Sequence, residues 1–411
     1  MSSASELNDA TGYLSRDIAE VASAQRLHAL DAVRGIALLL GVVFHATFSF
    51  VPEPTRVYYI VDNHPSVTLA FVYFTIHTFR MTTFFLIAGF FARMTFHRRG
   101  IGGFIRDRTQ RVALPLIVGW PILFAASELV ISWSATYPNG GPLPGVTNWP
   151  PALPKFPLNH LWFLYVLLQC YVAMLVLRAG FVGLDRSGRL RLRVDQLMRL
   201  VIRSPFAPAI LAIPIGVALN LDPYWEYGIR TPDATLITPK QAVLAFGTAF
   251  TFGWLLQRQD GLVQLLERRW LLNLVLGAGL VTISFFLAFE FFQTPPWERP
   301  AGVWFTGATC YALATWVLTF ATVGMALRFL SGFSALRRYI ADSSYWIYLI
   351  HLPIVLALQV LVSSLDWPWP VKFVAILLIA FPIMLVSYEK FVRYSFIGVV
   401  LNGRRGHRAA D

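Results

Sequence analysis

Charged side chains are scarce in this sequence. Asp, Glu, Lys and Arg make up 14% of its 411 residues, whereas soluble domains contain about 25%. Hydrophobic residues make up 56%, and they occur in continuous runs rather than in alternation. Because lipid offers the backbone no hydrogen-bond partners, only helices and closed barrels cross membranes, and continuous apolar runs favour helices. The composition therefore excludes an ordinary soluble domain and predicts an all-α polytopic membrane protein.

Cysteines and the common catalytic signatures are also lacking. The two cysteines, Cys170 and Cys310, lie within apolar runs, and no metal-binding spacing surrounds them. We expect both to pack as small hydrophobic residues. The sequence contains no P-loop, GxSxG elbow, HExxH or CxxC motif, which excludes the enzyme classes that these motifs mark. We expect no catalytic metal and no permanently bound cofactor.

Ten apolar segments are long enough to cross a membrane or nearly so, since a spanning helix needs about 20 residues. They cover residues 28–50, 67–93, 112–133, 160–180, 205–221, 240–257, 271–292, 302–327, 342–363 and 371–394. We predict one transmembrane domain over residues 26–396. The first 25 residues lack the apolar core of a signal peptide and are predicted to form a polar N-terminal tail. Residues 397–411 are predicted to form a basic C-terminal tail.

Positive charge is concentrated on one side of the predicted membrane. The formal net charge is +12, which in a soluble protein would suggest a nucleic-acid partner. Here the positive residues lie in short loops between apolar runs. With the N-terminus in the cytoplasm, 26 lysines and arginines fall on the cytoplasmic side and 6 on the other. This bias predicts that both termini are cytoplasmic and that no nucleic acid is bound.

The first predicted spanning helix contains ionisable residues that are costly in lipid. Asp31 and Arg34 are three residues apart and can pair, while His45 lies 11 residues after Arg34. At about 100° per residue Arg34 and His45 share one face, separated by about 16 Å along the axis. The structural alternatives are an Arg34 side chain that reaches the interface beside Asp31, and an interhelical hydrogen bond from His45. The functional interpretation is a site along this face.

Further polar candidates follow in helix two and in the loop after it. His77 and Arg80 share a face, and Arg80 lies near mid-span, where a charge needs a buried partner or water. Arg108 and Arg111 are three apart before helix three. Their guanidinium forks suit phosphate, although ordinary cytoplasmic arginines would give the same pattern.

The remaining candidates lie in the fourth and ninth predicted helices. His160 is at the outer end of helix four, where it can simply lie at the interface. Ser344, Tyr348 and His351 follow one another at spacings of four and three and so share a face. This stripe could hold two helices together or could contribute to a site.

Several of these motifs, in this order, resemble the membrane-bound acyltransferase family 3 over about residues 26–400. They are the Arg-X10-His of helix one, the Arg-X2-Arg before helix three and the SYxIYLxH stretch at 344–351. Within the family, the sequence most resembles the branch that modifies osmoregulated periplasmic glucans. That likeness rests on HxFRM at 77–81, on HLWFL at 160–164 and on the IYLxHxP segment at 347–353.

The resemblance implies an integral enzyme of the bacterial inner membrane that takes an acyl group from cytoplasmic acyl-CoA. It implies transfer to a glycan hydroxyl outside the membrane, and in this branch the acyl group is succinyl and the acceptor a periplasmic glucan. Carried over by motif, His45 is the catalytic histidine and Arg34 its associated arginine, while Arg108 and Arg111 serve the CoA side. Membrane lipid and glycan-synthesis machinery are the other partners implied.

The chemistry of the residues agrees with acyl transfer. A histidine is suited to take the proton of a sugar hydroxyl near neutral pH, and Arg34 or Arg80 can stabilise negative charge on the thioester oxygen. If the donor is succinyl, Arg80 is the first candidate to bind its carboxylate. The alternative function is a transporter or flippase for a glycan or lipid-linked precursor, in which the same residues would line a path.

Overall fold

The computed structural model is helical throughout the part of the chain that it describes. That part comprises residues 3–52, 60–137, 155–222, 225, 228–259, 261–290, 294, 298 and 300–403. For residues 3–24 and 290 it comprises the backbone alone. Within these ranges there is no β-strand, and one isolated bridge joins Lys155 to Thr235. The prediction of an all-α membrane protein is confirmed.

Thirteen α-helices of the described chain follow one another in sequence. They are α1 Ser3–Thr47, α2 Val67–Arg108, α3 Leu114–Ser134, α4 Trp162–Leu184, α5 Arg189–Arg203, α6 Ala207–Asn220, α7 Lys240–Leu256, α8 Val263–Arg268, α9 Trp270–Glu290, α10 Ala301–Phe329, α11 Ala335–Ser363, α12 Trp369–Ser387 and α13 Phe396–Asn402. Short 3-10 turns follow α1 (Phe48–Phe50) and precede α4 (Asn159–Leu161), and π turns separate α2 from α3 and α12 from α13.

Each of the ten predicted apolar segments coincides with helix over most of its length, and residues 291 and 292 of the seventh segment lie outside the described chain. By length and composition, seven helical stretches of the described chain can cross a membrane, or up to eight if the bent pair α5–α6 forms one span. One of the seven runs from Val67 to Ser134, a length of about 100 Å. Gly100, with φ +65°, breaks the helical path within α2, and a π turn at Thr109–Ala113 separates α2 from α3, so this stretch is not one straight helix. The exact count of ten and the cytoplasmic location of the termini remain predictions.

Parts of both predicted tails are helical. The helix α1 begins at Ser3, so most of the predicted N-terminal tail is helical backbone continuous with the first span. At the other end, α13 occupies Phe396–Asn402, and residues 404–411 of the predicted basic tail lie outside the described chain.

The polar candidate residues are surrounded by the helices α1, α2, α7 and α11. The helix α1 packs against α2 and α11, and α2 packs against α7. The pair α2–α7 is held close by reciprocal glycines: a β-carbon on Gly89 would overlap the Phe250 carbonyl, and one on Gly253 would overlap the Leu86 carbonyl. Small residues permit such contact between helix backbones, the usual means of close packing in membranes.

A fully buried ion pair ties the start of α12 to the preceding part of the chain. The Nζ of Lys372 lies 2.8 Å from the Oδ1 of Asp62, and both side chains are 0% exposed. Lys372 also donates to the Ser363 carbonyl at the end of α11. Removing one member of such a pair leaves an uncompensated buried charge, which costs about 3–5 kcal/mol.

We predict that Lys372→Met lowers the thermal midpoint of the detergent-solubilised protein, because it leaves the Asp62 carboxylate buried and unpaired. Adding Asp62→Leu to it should restore most of the loss. As a control, Arg393→Met breaks a pair with Glu389 whose members are 39% and 38% exposed and should change stability by less than about 1 kcal/mol. A double variant as unstable as Lys372→Met alone would contradict this account.

Candidate active site

Three histidines from three separate elements meet in the middle of the structure. The imidazole of His45, in the last turn of α1, lies 3.0 Å from that of His351 on α11, measured from Nδ1 to Nε2. His160, in the turn before α4, has its ring centroid 5.1 Å from that of His351. His351 and His160 are buried. The structure thus brings together three candidates that lie far apart in the sequence.

Main-chain carbonyls determine which nitrogen of each ring holds the proton. The carbonyl of Gly41 lies 2.7 Å from the Nδ1 of His45, that of Tyr348 lies 2.6 Å from the Nδ1 of His351, and that of Leu349 lies 2.9 Å from the Nε2 of His160. A carbonyl can only accept, so each of these nitrogens must donate its N–H. The Nε2 of His45 therefore retains its lone pair and can act as a base.

Two of these histidines, His45 and His160, border a cavity of about 360 Å³, which we call the histidine cavity. Besides His45 and His160, its wall includes His77, Arg80 and Tyr348. The His77 Nδ1 lies 3.1 Å from the Tyr311 hydroxyl, and the Tyr348 hydroxyl donates to the His160 carbonyl over 2.7 Å. The latter bond fixes the start of α4 against α11. Ser344, one turn earlier on α11, donates to the Ala341 carbonyl within its own helix.

Arg80 is a buried cation without a carboxylate partner among the described residues. It is 7% exposed, its guanidinium carbon lies 4.8 Å from the Phe44 ring centroid, and its buried Nε has no hydrogen-bond partner. Its Nη1 lies against Gly41, where a β-carbon would approach it to 2.5 Å. A buried charge is costly unless it is paired. Arg80 is therefore poised to bind an anion from the substrate.

A second cavity, of about 270 Å³, lies further towards the beginning of α1 and contains most of the other predicted site residues. Arg34, Arg108, Arg111 and Arg338 line it together with Asp31 and Asp342. Four guanidinium groups face two carboxylates here, so the wall has a formal charge of +2. We call it the arginine cavity.

Two carboxylates, Asp31 and the buried Asp107, hold arginines of this cavity in place. The Asp31 carboxylate lies 2.8 Å from the Nη2 of Arg34, which bears out the predicted pairing of these two residues. Asp107, whose side chain is 3% exposed, lies within 3.5 Å of Arg108 and Arg111. Arg108 also donates to the Tyr171 hydroxyl. The guanidinium groups are thereby positioned without being fully neutralised.

The two cavities share three lining residues, Leu38, Phe84 and Phe163. The rings of Phe84 and Phe163 meet edge to face with their centroids 4.4 Å apart. These three side chains form an apolar partition between the arginine cavity and the histidine cavity. An acyl chain that reaches from one cavity into the other has to pass between them.

One face of α1 forms a wall of both cavities. Arg34, Leu38, Gly41 and His45 follow at spacings of four, three and four, which places them on one stripe of a helix. Arg34 lies in the arginine cavity, Leu38 in the partition, Gly41 under Arg80, and His45 in the histidine cavity. The structure therefore does not bring Arg34 and His45 together, but sets them about 16 Å apart along the axis.

Several residues of this site gave no signal in the sequence. Asp107, Tyr171 and Tyr311 belong to residue types that are common in such helices. Phe163 lies within the HLWFL segment at 160–164 that carries the resemblance, and Gly41 could have been found because it occupies the stripe defined by Arg34 and His45. Its close contact with Arg80 depends on the packing of α1 against α2.

Comparison with known proteins shows the family to which this chain is related. The model of the acyltransferase domain family matches residues 27–389. Glucans biosynthesis protein C of Escherichia coli O139:H28 (strain E24377A / ETEC) is 21% identical over 385 residues, which is 93% of this chain and 95% of the relative. The corresponding proteins of Escherichia coli O6:K15:H31 (strain 536 / UPEC) and Shigella dysenteriae serotype 1 (strain Sd197) are each 29% identical over 145 residues.

Those two shorter alignments cover 35% of this chain and 37% of each relative. No solved structure matches. The family match spans nearly the whole transmembrane domain, which confirms the resemblance seen in the motifs and favours an enzyme over a transporter. The chain therefore belongs to the membrane-bound acyltransferase family 3 and is a multi-pass membrane acyltransferase.

Proposed function

We propose that this protein is an O-acyltransferase that moves a succinyl group from succinyl-CoA to hydroxyls of a periplasmic glucan. The observation that supports this most strongly is the row of two cavities along one face of α1, one rich in arginine and one containing a histidine with a free Nε2 lone pair. The acceptor follows the name of the relatives, glucans biosynthesis protein C, and the acyl group follows the branch resemblance.

The proposed topology places the enzyme in the bacterial inner membrane with ten crossings and both termini in the cytoplasm. The arginine cavity then opens towards the cytoplasm, where acyl-CoA is made. Arg34, Arg108, Arg111 and Arg338 would bind the CoA phosphates, since guanidinium groups recognise phosphate with two N–H donors. The histidine cavity then serves the acceptor side, where glycan-synthesis machinery would supply the glucan.

In the proposed reaction the thioester reaches the histidine cavity past the partition. The Nε2 of His45 takes the proton of the glucan hydroxyl, and that oxygen attacks the thioester carbonyl carbon. The carbon–sulfur bond then breaks, the acyl oxygen ester is formed, and the imidazolium returns its proton to the leaving thiolate of CoA. The Gly41 carbonyl and the His351 Nε2 face the Nδ1–H of His45, so they stabilise the transient imidazolium. No acyl-enzyme is required.

Arg80 is proposed to bind the free carboxylate of the succinyl group. It is buried, borders the histidine cavity, and has no carboxylate of the described residues within salt-bridge distance. A substrate carboxylate would complete this ion pair. An uncharged acyl group of the same length would leave the guanidinium unpaired and would bind less well.

The first test addresses the base. We predict that His45→Ala lowers acyl transfer by about 10³-fold, because general-base catalysis contributes about 10²–10⁴-fold. Mass spectrometry of the envelope glucans, with and without the protein and with the variant at matched abundance, measures the loss and also identifies the acyl group. His64→Ala, outside both cavities, is the control. Wild-type acylation of glucans by His45→Ala would contradict the base assignment.

The second test addresses the role of Arg80. In proteoliposomes supplied with either succinyl-CoA or butyryl-CoA, Arg80→Gln should reduce succinyl transfer by about 100-fold, as expected for a buried charge pair that loses one member. Butyryl transfer should change much less, because butyryl has no carboxylate. Arg328→Gln, an exposed arginine, is the control. An equal loss for both donors would instead assign Arg80 to the thioester oxygen.

The third test addresses the partition. We predict that Leu38→Trp lowers the rate of transfer by about 100-fold, since a larger ring obstructs the path of the acyl chain and displaces the reacting groups. Binding of CoA itself to the arginine cavity should be retained, which equilibrium dialysis with labelled CoA measures. The matched control is Ile36→Trp, at a position on α1 that is 39% exposed. A fully active Leu38→Trp enzyme would show that the acyl group takes another route.

A further inference from the structure

The helix α5 differs from all the helices that border the two cavities. It covers Arg189–Arg203 and meets α6 at an angle of 104° after a short break. Because α6 is apolar and part of a candidate span, a helix nearly perpendicular to it lies along the plane of the membrane. Most of the arginines of α5 lie on one face of the helix and most of its apolar residues on the other, as is typical of a helix at the interface between headgroups and acyl chains.

The arginines of α5 outnumber the carboxylates available to them. Asp195 is occupied by Arg258 and Gln259, and Asp185 is occupied by Arg191. Arg189 and Arg193 are exposed and form no ion pair with a carboxylate of the described residues. They are four residues apart, so both guanidinium groups project from the same face of the helix.

An apolar groove of about 440 Å³ runs between α5, α6 and α7, and Arg193 directly precedes Val194, the first of its lining residues on α5. Its wall contains no charged side chain and is formed by Val194, Leu197, Met198, Val201, Ile210, Leu211, Val243, Leu244, Gly247, Thr248, Thr251, Phe252 and Leu255. Leu197 is 61% exposed and Val243 52%. The groove is therefore open towards the surroundings of the helices rather than enclosed.

We propose that this groove holds one acyl chain of an anionic phospholipid whose phosphate binds Arg189 and Arg193. On α5, Val194, Leu197 and Val201 form the groove-facing stripe, and Arg189 and Arg193 continue the row of Leu197 and Val201 towards the start of the helix at spacings of four. The positive charge thus lies at one end of the groove-facing stripe. An anionic phospholipid carries a fatty chain and a phosphate in one molecule, so charge complementarity selects it over an uncharged lipid or an apolar helix.

Two variants and two controls test the site in the full-length protein. Arg189→Gln with Arg193→Gln removes the charge. The control for it is Arg199→Gln with Arg203→Gln, which removes the same charge from the other side of α5.

Gly247→Leu fills the groove, since a β-carbon at Gly247 meets nothing within 4 Å. Its control is Gly279→Leu on α9, where the space is equally open.

The measurement is native mass spectrometry of protein taken from nanodiscs that contain equal amounts of phosphatidylglycerol and phosphatidylcholine. The wild type and both controls should retain phosphatidylglycerol in preference to phosphatidylcholine. The preference should fall about 30-fold without Arg189 and Arg193, the effect of two positive charges near an anionic surface. In Gly247→Leu, the amount of either lipid that the protein retains should fall by at least about 30-fold.

Four outcomes would overturn the proposal. One is equal retention of both lipids by the wild type. The second is a loss in Gly279→Leu as large as that in Gly247→Leu. The third is a dimer of this chain that persists without lipid and dissociates in Gly247→Leu, which would make the groove an interface between copies. Displacement of the lipid by soluble glycerol phosphate would likewise show that the phosphate alone is recognised.

Discussion

Gly41 is the point at which the two reactive side chains of the histidine cavity are held together. Its carbonyl lies 2.7 Å from the Nδ1 of His45 and fixes the tautomer of that ring. Its bare α-carbon admits the Nη1 of Arg80, which a β-carbon would displace. One residue of α1 therefore determines both where the base presents its lone pair and where the buried positive charge lies. The polar arrangement around it depends on α2 and α11 packing closely on this turn.

The two cavities divide the work of the site between recognition and chemistry. In the arginine cavity, Asp31 and Asp107 position the guanidinium groups but leave an excess of positive charge. In the histidine cavity, main-chain carbonyls rather than carboxylates orient the rings, so the imidazoles keep their protons in defined positions without adding negative charge. The apolar partition of Leu38, Phe84 and Phe163 lies between them. In the proposed reaction this separation keeps the CoA phosphates on one side and the acceptor hydroxyl on the other.

Sequence reasoning could predict the helical class, because apolar runs specify helices in lipid regardless of their neighbours. It also found the histidines and most of the arginines of the site, since ionisable groups within such runs stand out. It could not predict that His351 contacts His45, because that contact depends on how α11 packs on α1. The pairing of Lys372 with Asp62 was likewise hidden: the lysine resembles any loop residue that orients a membrane protein. Nor does the sequence reveal that Arg34 and His45 lie in different cavities.

The central claim is that an acyl group passes through the protein, along α1, from the arginine cavity to the histidine cavity. The most direct measurement uses sealed proteoliposomes with labelled succinyl-CoA on one side and the glucan on the other. The account predicts labelled glucan on the acceptor side while free CoA accumulates on the donor side, at a rate that Leu38→Trp reduces. Acylation that occurs only when donor and glucan share the same side would contradict it.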